Sequence, residues 1–540
     1  MKKLIALLLA LVMVFALVAC GGNSESKTDS KTDSTTPSDS SSSDSSSSDA
    51  GKTSEGDDTL YVAVTSDAGT LSPALIGTGT YGIVAQIQEP MWDVDQDGNV
   101  IYILAESVDF VSDTEQIIHL RHDVKFHNGN PFTASDVLFS MNLHNNSGFT
   151  GQPRVQTVDF EKTNVVDDYT LDLHLIAPTI CNWTVLSQCY IYDEESYDEA
   201  KAASAPMGTG PYKFVSYVPN SELICERNEE YWGEKPDFKY INCKILAEAS
   251  QRVNALETGL IDVGQISIAD HDYVSGLDNL HVLGNYTGNF CALMFNFGEK
   301  SAFYQNADAR RAIVHATNSE AILNTVYLGL GKMMHAVVVD YCFDFEDRFN
   351  DISETHSIGF NMDVAKQLAD SSGLTGQTLT ILTDGTTDNI RCAEMLQGMY
   401  SEIGVKLEIQ SYDSATLFTM MYDPTADWDM FIGIGMAPNR RCGDQLLNGV
   451  RYFETMKAPG AFENNEEYLA LAPDCMSLQD EKELSDLLYR MMKWYDDEVL
   501  SYSMFDIENF NVVSSKVDPD SVVMSVGLSS IRYSQLKKAN

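Results

Sequence analysis

Along residues 59–540, short apolar runs alternate with longer segments whose apolar positions fall three and four apart. LYVAV (60–64) reads as a strand. SDVLFSMNLH (135–144) has helical periodicity and opens at Ser135, a plausible N-cap. QRVNALETG (251–259) predicts a helix that ends with Gly259 just past its last turn. NADARRAIVHAT (306–317) predicts a helix capped by Asn306, with an apolar stripe at Ala312, Ile313 and Ala316. The 389–404 segment predicts a helix with a strand behind it at 405–412, and residues 480–499 form one long amphipathic helix. This alternation predicts an α/β fold. A body of about 480 residues exceeds one ordinary core. No strong linker divides it, so the expected arrangement is intertwined lobes with several chain crossings.

The first twenty residues, MKKLIALLLALVMVFALVAC, differ from everything that follows. Lys2 and Lys3 precede an apolar stretch from Leu4 to Val18, too short for a membrane span and suited to a secretory leader. Leu17-Val18-Ala19-Cys20 resembles the lipobox of bacterial lipoproteins, which implies a leader over 1–19 and lipidation of Cys20. Residues 21–58 are almost entirely Ser, Thr, Asp, Lys, Gly and Glu. So little apolar surface predicts a disordered tether, about 34 Å from end to end on average. The expected location is the outer face of the cell membrane, held by the lipid, with a Gram-positive cell favoured by the serine-rich tether.

The formal net charge is −44, with 79 acidic residues against 35 basic ones. That balance excludes a nucleic-acid partner, which requires a basic footprint. Nine cysteines remain besides Cys20, none in a CxxC pair, and mostly free buried thiols are expected. Cys181 and Cys189 are the nearest pair for a disulfide.

Three local patterns imitate sites. Asp93-x-Asp95-x-Asp97-Gly98 copies the start of a calcium loop, but its twelfth position is Leu104, and Asp97-Gly98 suits a hairpin turn. Gly77-x-Gly79-x-x-Gly82 matches a dinucleotide fingerprint without the strand that must precede it. His119, His122 and His127 are close in sequence, yet an extended segment turns His122 away from the other two. No cofactor, resident metal or catalytic constellation is expected.

The body resembles a family 5 extracellular solute-binding protein, the oligopeptide-, dipeptide- and nickel-type component of ABC importers. The resemblance rests on TLYVAVTSDAGTLSPA (59–74), EPMWDVDQDGNVIYILAES (89–107) and HLRHDVKFHNGNPFTASDVLFSM (119–141). It continues through residues 208–233, 250–263 and 294–331 in the family's order. It implies a two-lobed periplasmic-binding-protein-like fold of type II with an extra subdomain. Lobe I is expected over 59–292 plus 505–540, with the satellite at about 89–208, and lobe II over 293–504. The implied hinge lies near 289–296 and 503–509. The implied function is capture of a peptide or similar polar solute, without catalysis, by a monomer that delivers it to membrane permease subunits. A non-transport sensor or chaperone-like surface lipoprotein is the alternative, and a surface hydrolase a third reading.

Site residues follow from the resemblance. The loop after the first strand, Asp67-Ala68-Gly69-Thr70, is expected to line the cleft, where small residues let backbone approach a solute. Phe295 and Asn296 at the crossover strand are candidates against core packing. On lobe II, Asp384 and Trp428 are candidates, the latter as an aromatic wall or as core bulk. Peptide-binding relatives carry an acid near the end of the strand that here reads DMFIGIGM (429–436). Here Asn439 stands at that position, followed by Arg440 and Arg441, and Met436 and Ala437 replace the usual tryptophan. Guanidinium forks suit carboxylate or phosphate, so one arginine is expected either on an anionic group of the solute or in a salt bridge to Asp444 or Asp429.

Overall fold

The computed structural model describes residues 58–75, 79–352, 359–421, 426–436, 440–447, 468, 470–472, 474–477, 480–525 and 530–539. Cys20, the tether up to residue 57, Gly77, Ala437 and Asn439 lie outside them. Among the described residues, eleven strands form one mixed sheet. In chain order they are β1 Thr59–Val64, β2 Tyr212–Val218, β3 Glu222–Arg227, β4 Tyr240–Ile245, β5 Val263–Ile266 and β6 Leu280–Phe295. Then come β7 Gly331–Met333, β8 Thr378–Thr383, β9 Lys406–Ser411, β10 Met430–Met436 and β11 Ser501–Ser514. The order across the sheet is β9-β8-β10-β6-β11-β5-β1-β4-β3-β2, with β7 on β11.

Two strands are much longer than the rest and run through both halves of this sheet. Antiparallel β6 and β11 pair from Leu280 with Ser514 to Tyr286 with Glu508, and again from Phe290 with Asp506 to Met294 with Ser501. Between these ladders Thr287, Gly288 and Asn289 bulge out opposite Ile507, and Gly288 adopts a left-handed φ of 85°. A bulge of this kind bends a strand and changes its twist. The core changes at the same place. Residues such as Leu60, Tyr212, Ile241 and Val513 fill one core on one side of the bulge. A larger core on the other side runs from Phe290 and Leu293 to Met504 and Phe505. A third cluster, from Met91 to Ile191, packs beside a separate four-stranded sheet. The protein is therefore two-lobed.

Local chemistry explains the helices. Asn306 caps Ala307–Ala316 by accepting from the Ala309 N–H at 3.2 Å, and Ala312, Ile313 and Ala316 are buried. Gly259 follows Ala249–Glu257 with a φ of 69°. The helix Ala134–Asn145 is capped two residues before the expected position: Thr133 forms a capping box with Asp136, and Ser135 lies inside the first turn. The T-x-x-D spacing at 133–136 is the sequence feature that marks this box. All nine described cysteines are free and buried.

The imitation motifs resolve into ordinary structure. Asp95 accepts from the N–H groups of Asp97 and Asn99 in a tight hairpin between Trp92–Val94 and Val100–Tyr102, while Asp93 pairs with Arg532. His119 meets Asp109, His122 stacks on Tyr169, and half-buried His127 meets the Gly210 carbonyl, so the three rings have three different partners.

Candidate site at the lobe crossover

Arg440 sits beside the bulge. Its backbone is left-handed, with a φ of 48°, and its guanidinium donates to the Tyr286 carbonyl at 2.9 Å. The same guanidinium lies 5.1 Å from the centre of the Tyr341 ring. Tyr341 stacks on Tyr286, and its hydroxyl accepts from the Gly288 N–H at 2.9 Å. One arginine and one tyrosine thus hold the residue that leads into the bulge and its central glycine. Of the two acids expected to pair with an arginine, Asp429 accepts instead from Thr380 N–H, Ala302 N–H and the Ser301 hydroxyl. Burial lowers the Arg440 pKa, which fits a guanidinium spent on structure.

Asp506, also at the crossover, is 2% exposed and neither carboxylate oxygen has a well-directed hydrogen-bond partner. Burial pushes its pKa up to about 7, and nearby Asp340 adds to the rise. The Tyr341 hydroxyl and Lys332 oppose it. A cavity of about 20 Å³ adjoins it, lined by Lys332, His335, Asp340 and Asn350 among others, large enough for one water.

Arg441 is half-buried. Its guanidinium lies over the Phe343 ring at 5.2 Å, and its Nε is buried without a hydrogen-bond partner. Phe343 in turn closes on Gly98 of the 92–102 hairpin: a Cβ on Gly98 would lie 2.9 Å from the ring. The Ile180 N–H donates to the Met476 carbonyl at 2.8 Å. These contacts make a seam between the smaller 91–191 core and the 290–505 core. The sequence marks Gly98 only as a turn residue and marks neither Phe343 nor Asp506, because each acquires its role here from a partner more than 150 residues away.

The other expected residues fall in separate places. Asp67 accepts from the Tyr217 hydroxyl at 2.6 Å and from the N–H groups of Asn220 and Gly69. Burial alone would raise its pKa, but these donors outweigh it and the net shift is downward. The acid therefore fastens the loop to the β2–β3 hairpin. Gly69, with a φ of 71°, leaves open space on its Cβ side, and Ala68 and Thr70 are half-buried. Asp384 accepts from Thr386 and Asn389 at the start of the helix Thr387–Ser401.

Three candidates have interior roles. Phe295 is fully buried edge-on to Phe303, so its side chain serves the core rather than a cleft surface. Asn296 donates to the Trp428 carbonyl at 2.6 Å and accepts from the Gly298 N–H, both of them bonds that hold the chain turn. Trp428 is 2% exposed among Leu382, Leu417, Met421 and Phe431, which makes it core bulk rather than a wall. Met436 pairs with Asn289 at the bulge through its backbone, and its side chain lies outside the described residues.

One sheet shared by two cores, crossed by two long strands at a bulge, defines a two-lobed solute-binding protein. The chain belongs to the bacterial extracellular solute-binding proteins of family 5, whose middle-region model matches residues 99–441. This is a family of binding proteins. The oligopeptide-binding protein AppA of Bacillus subtilis is 22% identical over 523 residues, 90% of each chain. Its structure in complex with a nonapeptide matches with a TM-score of 0.71 at 17% identity, over 89% of this chain and 99% of that one. The substrate-binding protein CtaP of Listeria monocytogenes matches with a TM-score of 0.77 at 20% identity, again over 89% and 99%. NikA of Brucella suis in complex with Fe(III)-EDTA gives 0.77 at 19% identity over the same shares. At these identities the structural likeness shows the fold. No helix among the described residues is long and apolar enough to cross a membrane.

Proposed function

We propose that this protein is the substrate-binding lipoprotein of an ABC importer, anchored outside the cell through Cys20. It captures a peptide or similar polar solute between its lobes as a monomer and passes it to membrane permease subunits. The observation that carries the reading is the pair of strands shared by both cores, with a register break at Thr287–Asn289 opposite Ile507. Two packed bodies joined by so few residues close around a solute by bending at the joint, driven by better contacts in the closed state. In this reading lobe II begins at the bulge, and Arg440 and Tyr341 set its geometry.

The solute meets backbone of the Asp67–Thr70 loop from one lobe and Asp384, Met436, Asn439 and Arg441 from the other. Phe295, Asn296, Trp428 and Arg440 support that surface from behind. An asparagine at 439 provides no ion pair for an ammonium group, and Arg441 supplies positive charge nearby, which favours a solute with an anionic group.

Native mass spectrometry of protein purified from its own cell extract tests the reading. A non-covalent adduct that is released intact on unfolding is expected. A chemically altered product, or turnover of added peptide, would favour the hydrolase instead. With the released solute in hand, Arg441→Ala is expected to weaken binding by about tenfold, the cost of one charge-assisted hydrogen bond, without changing the denaturation midpoint. Unchanged affinity would remove Arg441 from the site.

A further inference from the structure

We propose that Cys342, Asp344 and Cys442 form a binding site for one soft divalent cation, best matched by zinc, at the seam beside Arg441. The two sulfurs and a carboxylate oxygen all lie within 4.8 Å of one another. Cys342 is 5% exposed and Cys442 is fully buried. The Cys442 N–H donates to Asp344 Oδ1 at 2.8 Å and fixes the carboxylate, while Oδ2 is buried with no hydrogen-bond partner. A carboxylate oxygen shut away from water with no donor is costly unless a proton or cation satisfies it. Two thiols and a carboxylate are a donor set that tetrahedral zinc accepts, and three protein ligands leave a fourth position for water or another donor.

The surroundings hold these three groups in place. The ligands come from two segments, 342–344 and 442, bound together on both sides of the cluster. The Phe343 N–H donates to the Arg440 carbonyl at 2.9 Å. The Gln445 side chain accepts from the Val339 N–H and donates to the Val337 carbonyl at 2.7 Å. Ligands held in this way need little rearrangement to coordinate. Charge also fits. Two thiolates and a carboxylate around a divalent cation leave one negative charge, and the neighbouring Arg441 guanidinium offsets it.

Cys181, on the opposite side of the seam, has Asp444, Arg441, Asp344 and Cys475 as its electrostatic neighbours. The site thus lies where the 91–191 cluster meets the larger core.

The test uses the full chain, purified and kept reduced, titrated with Zn²⁺ against a chromophoric chelator and with Cd²⁺. One equivalent should bind, with a thiolate-to-cadmium charge-transfer band. Cys342→Ser and Cys442→Ser should lose that band, and Asp344→Asn should weaken zinc binding at least about tenfold. Cys475→Ser should leave the band intact. Circular dichroism and denaturation midpoints establish that each variant folds, and the half-buried Asp344 provides a variant that spares the core. Absence of the band in the reduced wild type, its persistence in the Cys342→Ser/Cys442→Ser double variant, or a Cys342–Cys442 disulfide in protein as isolated from cells would overturn the proposal.

Discussion

Replacing Arg310 by methionine is expected to cost about 3–5 kcal/mol of stability, the range for leaving buried partners of a charge unpaired. Arg310 lies in the helix Ala307–Ala316 and is 1% exposed. Its guanidinium donates to the Phe303 carbonyl at 2.7 Å and to the Glu498 carbonyl through both Nε and Nη2. It also reaches the Glu498 carboxylate at 3.4 Å and lies 5.2 Å from the centre of the Phe297 ring. Glu498 ends the long helix Glu481–Asp497, so the cation also meets the negative end of a helix dipole. Burial lowers the Arg310 pKa to about 10, which still leaves it charged at neutral pH. Lysine has no planar fork to serve two carbonyls at once, so Arg310→Lys should recover only part of the loss. Chemical denaturation checks this. A loss below about 1 kcal/mol, the range of exposed ion pairs, would show that the clamp is dispensable.

The second large effect has the opposite sign. Asp506→Asn should stabilise the protein at pH 8 by a few kcal/mol and change little at pH 4. Unfolded, this carboxyl titrates near its ordinary 3.8; folded, it titrates near 7. Between those values the folded state keeps a proton that the unfolded state has released. Stability therefore falls as pH rises through that window, and the full cost persists above it. Asparagine retains the shape without the charge, so the variant's midpoint should lose this part of its pH dependence. Equal midpoints for wild type and variant at pH 8 would show that Asp506 carries no such penalty. That cost falls on the strand that pairs with the bulged segment.

Several features were legible because they are local. Asn306, Gly259 and the helices at 389–404 and 480–499 depend on residues a few positions away, and the structure has them close to where periodicity and capping place them. The helix at 134–145 was displaced by two residues because Ser135 and Thr133 are both good caps, and the Asp136 partner decides between them. Phe295 and Trp428 were ambiguous for a different reason: an aromatic side chain has the same sequence signature in a core as on a cleft wall.

The sequence alone determined the α/β class, the family and an acidic body with buried thiols, because composition, short-range periodicity and ordered motifs carry that information. Only the tertiary structure decided where the arginines after DMFIGIGM lie. Arg440 turns left-handed and spends its charge on Tyr286, 154 positions away in the chain. Arg441 comes to rest over Phe343, beside two cysteines a hundred residues apart. Such partnerships are set by how β6, β10 and β11 align at the bulge, and register between distant strands leaves no trace in local sequence.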